Sequence, residues 1–350
     1  MAYTTINKSG EHFNTKLYTG DGNQQNVTGV GFQPDWTWVK QRGAATDHSM
    51  QDAVRGVGKQ LQSNDTSAET SNNNSLVGFV SDGFTVGFGT GDADAKVNAS
   101  GGTYASWNWK ANGAGSANTD GSISSTVSAN TTSGFSIVSY TGTGANATVG
   151  HGLGSLCKFI IIKRLNSTND WEIGSTALGW DKHLYFNTGA ANTSSNRWQS
   201  TAPTNSVFYL GAADGNNASS SPLIAYCFAE KQGYSKFGSY TGNGNADGTF
   251  VYTGFKPAFV MIKATGLVKN WLTFDNRRLG YNGAGTNKQL HPNTNGTESS
   301  GNGTTLDILS NGFKTRTTDS DENGSGSTYI YMAFAEAPLV GTNNVPCTAR

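Results

Sequence analysis

The chain is poor in what most functional classes require. Its 350 residues include 3 cysteines, 7 prolines, 5 histidines and only 14% charged positions, with 24 lysines and arginines against 24 aspartates and glutamates. Cys157, Cys227 and Cys347 are far apart in sequence and odd in number, so they read as free thiols of a cytoplasmic product and not as a disulfide framework. Five histidines without a Cys-x-x-Cys motif leave little from which to build a zinc site, and neither a metal nor any other cofactor is expected. The neutral balance offers no basic face to a nucleic-acid backbone. No run of 18 apolar residues exists, and the opening MAYTTINKSG has neither a basic start nor an apolar stretch, so a soluble product without a signal peptide is expected. Few prolines and no Gly-x-y period exclude collagen.

What is abundant is glycine, 46 residues, set among Asn, Ser and Thr. That is roughly twice the ordinary share. Seventeen Phe, 13 Tyr and 8 Trp are spaced between the polar stretches, which a disordered chain would lack. Large apolar anchors separated by turn-forming residues predict short strands joined by many turns.

Self-similarity sets the organisation. Tyr18-Thr-Gly-Asp-Gly22, Tyr140-Thr-Gly-Thr-Gly144 and Tyr240-Thr-Gly-Asn-Gly244 each precede, by 22 or 23 residues, a lysine that ends an apolar strand: Lys40, Lys163 and Lys263. Lys59-x-Leu61-x-x-Asn64, Lys182-x-Leu184-x-x-Asn187 and Lys288-x-Leu290-x-x-Asn293 follow in the same order, and each copy closes on an aromatic strand ending near Trp109, Phe228 or Phe334. Three ordered blocks at near-equal spacing are the mark of a tandem repeat. No apolar stripe of helical period runs over 11 residues, whereas the strands before the three lysines are apolar on both faces. Asp82-Gly83 and Asn311-Gly312 are hairpin signals. The expected fold is all-β, with three tandem β-sandwich modules of jelly-roll type, about 100 residues each. Module 1 is expected over 1–112, a Gly/Ser/Thr/Asn-rich linker over 113–133, module 2 over 134–232, module 3 over 233–340 and a tail over 341–350. Ile123 and Val127 are candidates to dock the linker on a module, and modules 2 and 3 are expected to form a rigid pair.

The repeats also serve as a control: a residue present in every copy belongs first to the fold, and a residue unique to one copy is free for function. Asp52/Arg55 and Asp275/Arg278 occupy matching places, either contacting a ligand or fixing a loop as a structural ion pair, while module 2 has Ser175 near that place. Glu230 and Glu336 also match one another, which argues against their being the facing carboxylates of a glycosidase. His12, His48, His151, His183 and His291 sit in unrelated contexts with no nucleophile elbow. Asp92/Asp94 and Asp319/Asp321 are acidic loops without EF-hand spacing. Module 2 alone carries Trp180, Asp181, Asn196, Arg197 and Trp198 in polar surroundings. Indole stacks on sugar C–H faces and Asp, Asn and Arg read hydroxyls, so these five are candidate ligand-binding residues, with a core role for the tryptophans as the competing reading. Tyr281 and Asn282 are weaker candidates.

The blocks at Tyr18–Gly22, Gly31-Phe-Gln-Pro34, Asp120–Val127, Gly134–Val138, Val149–Leu153, Ser235–Gly242, Ser310–Phe313 and Tyr329–Glu336 together resemble a family of repeated β-modules found in virion and tail-fibre-type proteins of marine and freshwater tailed bacteriophages. The resemblance runs over essentially the whole chain and carries no catalytic residues. It implies a bacteriophage virion protein made in the host cytoplasm, a tail-fibre or receptor-binding component adhering to host surface polysaccharide. Its partners would be other virion proteins and its own copies, with a trimer expected and no enzymatic activity. A capsid decoration or head-fibre protein is the alternative, and a glycan depolymerase the minor one.

Overall fold

An apolar run with large side chains on both faces is stable in a sheet only where each face is covered. The computed structural model, which describes residues 3–89, 92–278, 282, 287–299 and 305–346, shows what covers them. The first sequence repeat forms β1 (Phe13–Thr19), β2 (Gln25–Thr28), β3 (Trp36–Gln41), β4 (Ser49–Asp52), β5 (Lys59–Gln60), β6 (Thr70–Ser71), β7 (Leu76–Val80), β8 (Gly83–Val86), helix α1 (Asp92–Asn98) and β9 (Thr103–Trp109). Then come β10 (Ser116–Asn118), β11 (Ser125–Asn130), β12 (Phe135–Thr141), β13 (Ala147–Gly150), β14 (Cys157–Arg164), β15 (Glu172–Ser175), β16 (Lys182–Tyr185), β17 (Thr193–Ser194), β18 (Val207–Leu210), α2 (Asp214–Asn217) and β19 (Pro222–Ala229). The last stretch holds β20 (Ser235–Thr241), β21 (Phe250–Tyr252), β22 (Phe255–Ala264), β23 (Leu272–Asp275), β24 (Leu306–Leu309), β25 (Gly312–Thr315) and β26 (Thr328–Pro338).

The fold is all-β. One antiparallel order recurs in the larger sheets: β1-β9-β3-β4, β12-β19-β14-β15 and β20-β26-β22-β23. A smaller sheet lies with each: β2-β8-β7, β13-β18 and β21-β25-β24. Alternate residues of the central strands then serve two different cores. Val39 belongs to a local cluster with Val27, Phe84 and Val86; Ile160 and Ile162 pack with Val149 and Phe208; Val260 and Ile262 pack with Val251 and Phe313. The other parity, Trp36/Trp38, Phe159/Ile161 and Phe259/Met261, enters one further cluster shared by all three larger sheets. Trp36 stacks on Trp109 and on Tyr226, each at 4.3 Å between ring centroids. Phe13 stacks on Phe334 at 5.1 Å, and Phe228 meets the same ring at 5.9 Å.

Residues 113–133 contain structure of their own. β10 and β11 extend the second large sheet, and Ile123 and Val127 are buried in its local core. The two short helices, outside the pattern read from the sequence, each lead into a closing strand, β9 or β19.

The Tyr-Thr-Gly-x-Gly blocks use their two glycines for different reasons. A Cβ on Gly20, Gly142 or Gly242 would lie 2.4, 2.3 or 2.4 Å from the carbonyl oxygen of Ala99, Ala218 or Gly324, so the first glycine admits a neighbouring backbone. Gly22, Gly144 and Gly244 have φ of 80, 71 and 66°, the left-handed region where only glycine is unstrained. The backbone packed against the first glycine includes Asn98, Asn217 or Asn323, whose side-chain amide nitrogens each donate to two carbonyls of the surrounding loops. The hairpins expected at Asp82-Gly83 and Asn311-Gly312 form with their turns one residue earlier, at Ser81–Asp82 and Ser310–Asn311. Both glycines begin strands, and a Cβ there would lie 2.0 Å from the carbonyl oxygen of Val27 or Val251.

Trp109 touches Phe13 and Trp36, and also Phe135, Phe259 and Phe334 from the other two large sheets. Trp109→Ala should therefore lower unfolding free energy by about 3–5 kcal/mol in urea denaturation. Phe88→Ala, at a half-exposed ring, should stay within about 0.5 kcal/mol of the parent.

Candidate functional site

The seams between repeats are built from buried polar and charged groups. Two residues beyond each strand-ending lysine, a carbonyl accepts a backbone hydrogen bond from the adjoining repeat: Glu69 N to Leu165 O, Asn192 N to Thr265 O and Glu298 N to Arg42 O, at 2.8, 2.7 and 2.8 Å. The first repeat thus holds the second, the second the third, and the third the first, a closed cycle. Trp171 Nε1 donates to Gln62 O and Trp271 Nε1 to Tyr185 O, at 2.8 and 2.9 Å. At the equivalent place in the first repeat stands His48, whose Nε2 lies 3.1 Å from His291 O. Trp38 Nε1, which only donates, points at His48 Nδ1 from 2.8 Å, so the ring proton sits on Nε2 and is directed at that carbonyl. Burial, reinforced by the charge of Lys40, pushes His48 down to about 3 and keeps it neutral. The repeated Asn64, Asn187 and Asn293 side chains accept from the backbone N–H of His48, Trp171 and Trp271, each at 2.9 Å, and so fix these three donors.

Lys40, Lys163 and Lys263 are fully buried at the same seams. Their Nζ atoms donate to main-chain carbonyls: Gln41 and Ala44 for Lys40, Thr66 and Asn169 for Lys163, and Ala264, Leu267 and Gly189 for Lys263. Burial pushes all three down to about 8.

Asp52/Arg55 and Asp275/Arg278 are buried ion pairs with Nε to Oδ2 distances of 2.6 Å. Each also spans a seam. Tyr226 of the second repeat donates to Asp52 at 2.8 Å, and Trp107 of the first donates to Asp275 at 3.0 Å while Arg278 lies over its ring. Glu69 and Glu298 complete the sets, at 3.1 Å from Arg55 and 3.5 Å from Arg278. At the seam between the second and third repeats all the corresponding positions are uncharged: Ser175 for the Asp, Leu178 for the Arg and Asn192 for the Glu in the second repeat, and Met332 of the third where Tyr226 and Trp107 stand at the other seams. A buried charge without its partner is costly, so the network is present or absent as a whole.

The candidate stacking tryptophans are in the core. Trp198 is 0% and Trp180 7% exposed, and they pack edge to face at 5.7 Å. A Cβ on Gly174 of β15 would lie 2.7 Å from either indole, which is why a glycine occupies that strand position. Neither ring has a face for a sugar, which corrects their assignment as a ligand platform. Asp181 and Asn196 are exposed, and the aromatic ring nearby is Tyr185, which Arg197 overlies at 5.7 Å. Arg197 pairs with the buried Glu172 at 2.8 Å, without hydrogen-bond alignment, and also donates to Tyr185 Oη. Burial pushes Glu172 up to about 7 against the pull of Arg197.

The remaining sequence candidates are dispersed. Glu230 and Glu336 pair with Lys158 and Lys256, at 3.1 and 2.8 Å. Ser195 Oγ lies 3.0 Å from His183 Nδ1, but among the described residues no carboxylate bonds that ring. Asp321 pairs with Lys269 at 2.6 Å, beside a cavity of 240 Å³ lined also by Gly189, Val268 and Asn270. Among the described residues no three His, Cys, Asp or Glu side chains gather as a metal site. Tyr281, Cys347 and the side chains of Asp92 and Asp94 lie outside the described residues. Asn282 bonds the backbone of Ile308. Cys157 and Cys227, distant in sequence, are neighbours in the second local core, where burial raises the Cys227 thiol.

One surface was missed by reading the sequence. On the outer side of β21-β25-β24, Phe250 and Tyr252 are 44% and 48% exposed. Lys236 Nζ sits 5.3 Å from the centre of the Tyr252 ring. Alongside, Lys314 and Arg316 share Asp247 at 2.6 and 3.1 Å, and Arg316 also pairs with Asp307. The signal was available in the alignment of repeats. Val251 matches Val27 and Val149, all three buried, so the flanking outward positions are Asn26/Thr28 and Thr148/Gly150 in the other copies.

The buried lysines set a pH dependence. Between pH 8 and about 10.5 the unfolded chain holds lysine protons that the fold has released, so stability should rise with pH, by up to ~1.4 kcal/mol per pH unit for each lysine. Buried tyrosines, raised well above 10, oppose this as pH nears 10, where tyrosines of the unfolded chain ionise. Melting temperature should increase from pH 8 to 9 and Lys163→Met should flatten the rise; a fall over that window would contradict the assignment.

A family model described as a domain of unknown function, DUF7483, matches residues 8–338, and the chain belongs to that family. No curated protein and no solved structure matches it.

Proposed function

We propose that this chain is a virion structural protein of a tailed bacteriophage, a tail-fibre or receptor-binding component that presents β-sandwiches on the particle and adheres to host surface glycan. The observation that supports this most is the closed cycle of repeats. Buried Asp, Arg, Lys and His side chains fasten one repeat to the next, leaving a rigid body whose surface is mostly uncharged and polar. Such a body suits display outside the cell and needs no disulfide. Glu172, Glu230 and Glu336 are engaged with Arg197, Lys158 and Lys256, and the reading is adhesion without catalysis. Many copies on one particle would multiply weak single-site binding. Because one chain already completes its own core, contacts to other copies, in a trimer or a larger array, would use outer surfaces.

A second reading is capsid decoration or a head fibre. The longest helix among the described residues has 7 residues, so those residues supply no coiled-coil shaft of the kind a fibre tip is mounted on.

Immunogold labelling of purified particles separates the readings. Label at the tail tip is the expected result, and label spread over the capsid would favour decoration. Absence of the protein from purified virions would overturn both.

A further inference from the structure

On the outer face of β21-β25-β24 the third repeat departs from the other two, although Tyr252 also meets Tyr3 beside Gly254. In the first repeat the matching positions are Asn26, bonded to Thr85, and Thr28. In the second, Ser122 and Ile123 lie along β13, with Ile123 bridging Val149 and Ser122 bonding Thr148. The sandwich therefore forms with small polar residues there. Phe250 and Tyr252 instead place two half-exposed rings on one side of an edge strand.

The neighbouring charges indicate what fits this face. Aromatic rings beside hydrogen-bonding side chains are the combination that binds pyranose, whose C–H face packs on the ring while its hydroxyls are read at the edges. Lys314, Arg316, Asp247 and Asp307 form an ion-paired row next to Phe250, with both donors and acceptors fixed. Lys236 differs from these. Among the described residues it has no carboxylate partner, and its ammonium lies over the Tyr252 ring, 5.3 Å from the ring centre. We infer that Phe250, Tyr252 and Lys236 form a binding platform for carboxylate-bearing pyranosides, the rings stacking on the sugar and Lys236 pairing with its carboxylate. This rests on the adhesive reading above and gives it a site and a ligand class, in the third repeat and not at Trp180 and Trp198.

Native gels cast with alginate, hyaluronate or polygalacturonate test it, with dextran as the neutral control. At least one acidic polymer should retard the full chain and dextran should not. Tyr252→Ala and Phe250→Ala should each weaken the retention about tenfold. Lys236→Met should weaken it and reduce its salt dependence. All three variants should melt within a degree or two of the parent, since none of the side chains is in a core. No retardation by any acidic polymer, or retention unchanged in Tyr252→Ala, would overturn the inference. Equal retention by dextran with Lys236→Met unaffected would overturn the ligand class. A change of oligomeric state in Tyr252→Ala, read by sedimentation, would show that a second copy covers the face and would also overturn it. Binding by a protein absent from purified virions would defeat the virion reading alone, whereas a virion protein that binds none of these polymers would defeat only this inference.

Discussion

Three sheets share one aromatic core, and the rest of the structure follows from that. Each larger sheet is apolar on both faces, and its own smaller sheet covers only one. The other face, carrying Trp36, Trp38, Phe159, Ile161, Phe259 and Met261, remains dry only because the other repeats close over it. Burial of aromatic side chains is the largest favourable term open to a chain so poor in apolar residues, and here it is concentrated where it obliges three repeats to fold together. The family match over residues 8–338 spans all three.

A shared core would not by itself set which repeat meets which. The polar seams do so. His48, Trp171 and Trp271 reach the same position of the adjoining loop, three residues after Lys288, Lys59 and Lys182, so the cycle has one direction. The Asp–Arg networks reinforce two of the three seams, while the other has the uncharged set Ser175, Leu178, Asn192 and Met332. A low charge content is therefore compatible with electrostatic specificity, because the Asp and Arg side chains at these seams are buried, paired and repeated.

Much of this was legible in the sequence. The repeated lysines, the Lys-x-Leu-x-x-Asn blocks and the Tyr-Thr-Gly-x-Gly turns mark positions that the structure uses in equivalent ways, and the two-faced apolar strands announced coverage on both sides. The sequence did not say that the second cover comes from other repeats, since a periodic pattern records that a face is buried and not what buries it. At Trp180 and Trp198 it left two readings open, ligand platform or core, and the core reading holds because Gly174 makes room for both indoles against the strand. The helix at 92–98 and the strands at 116–118 and 125–130 lacked the bulky periodic residues by which such elements are read.

The account's central claim is that the three repeats are one cooperative unit. Scanning calorimetry tests it most directly, by comparing the measured unfolding enthalpy with the van't Hoff enthalpy from the shape of the same transition. A single transition with a ratio of about one is the result predicted. Separate transitions, or a ratio of about three, would mean that each sandwich unfolds alone and that the shared core does not bind them together.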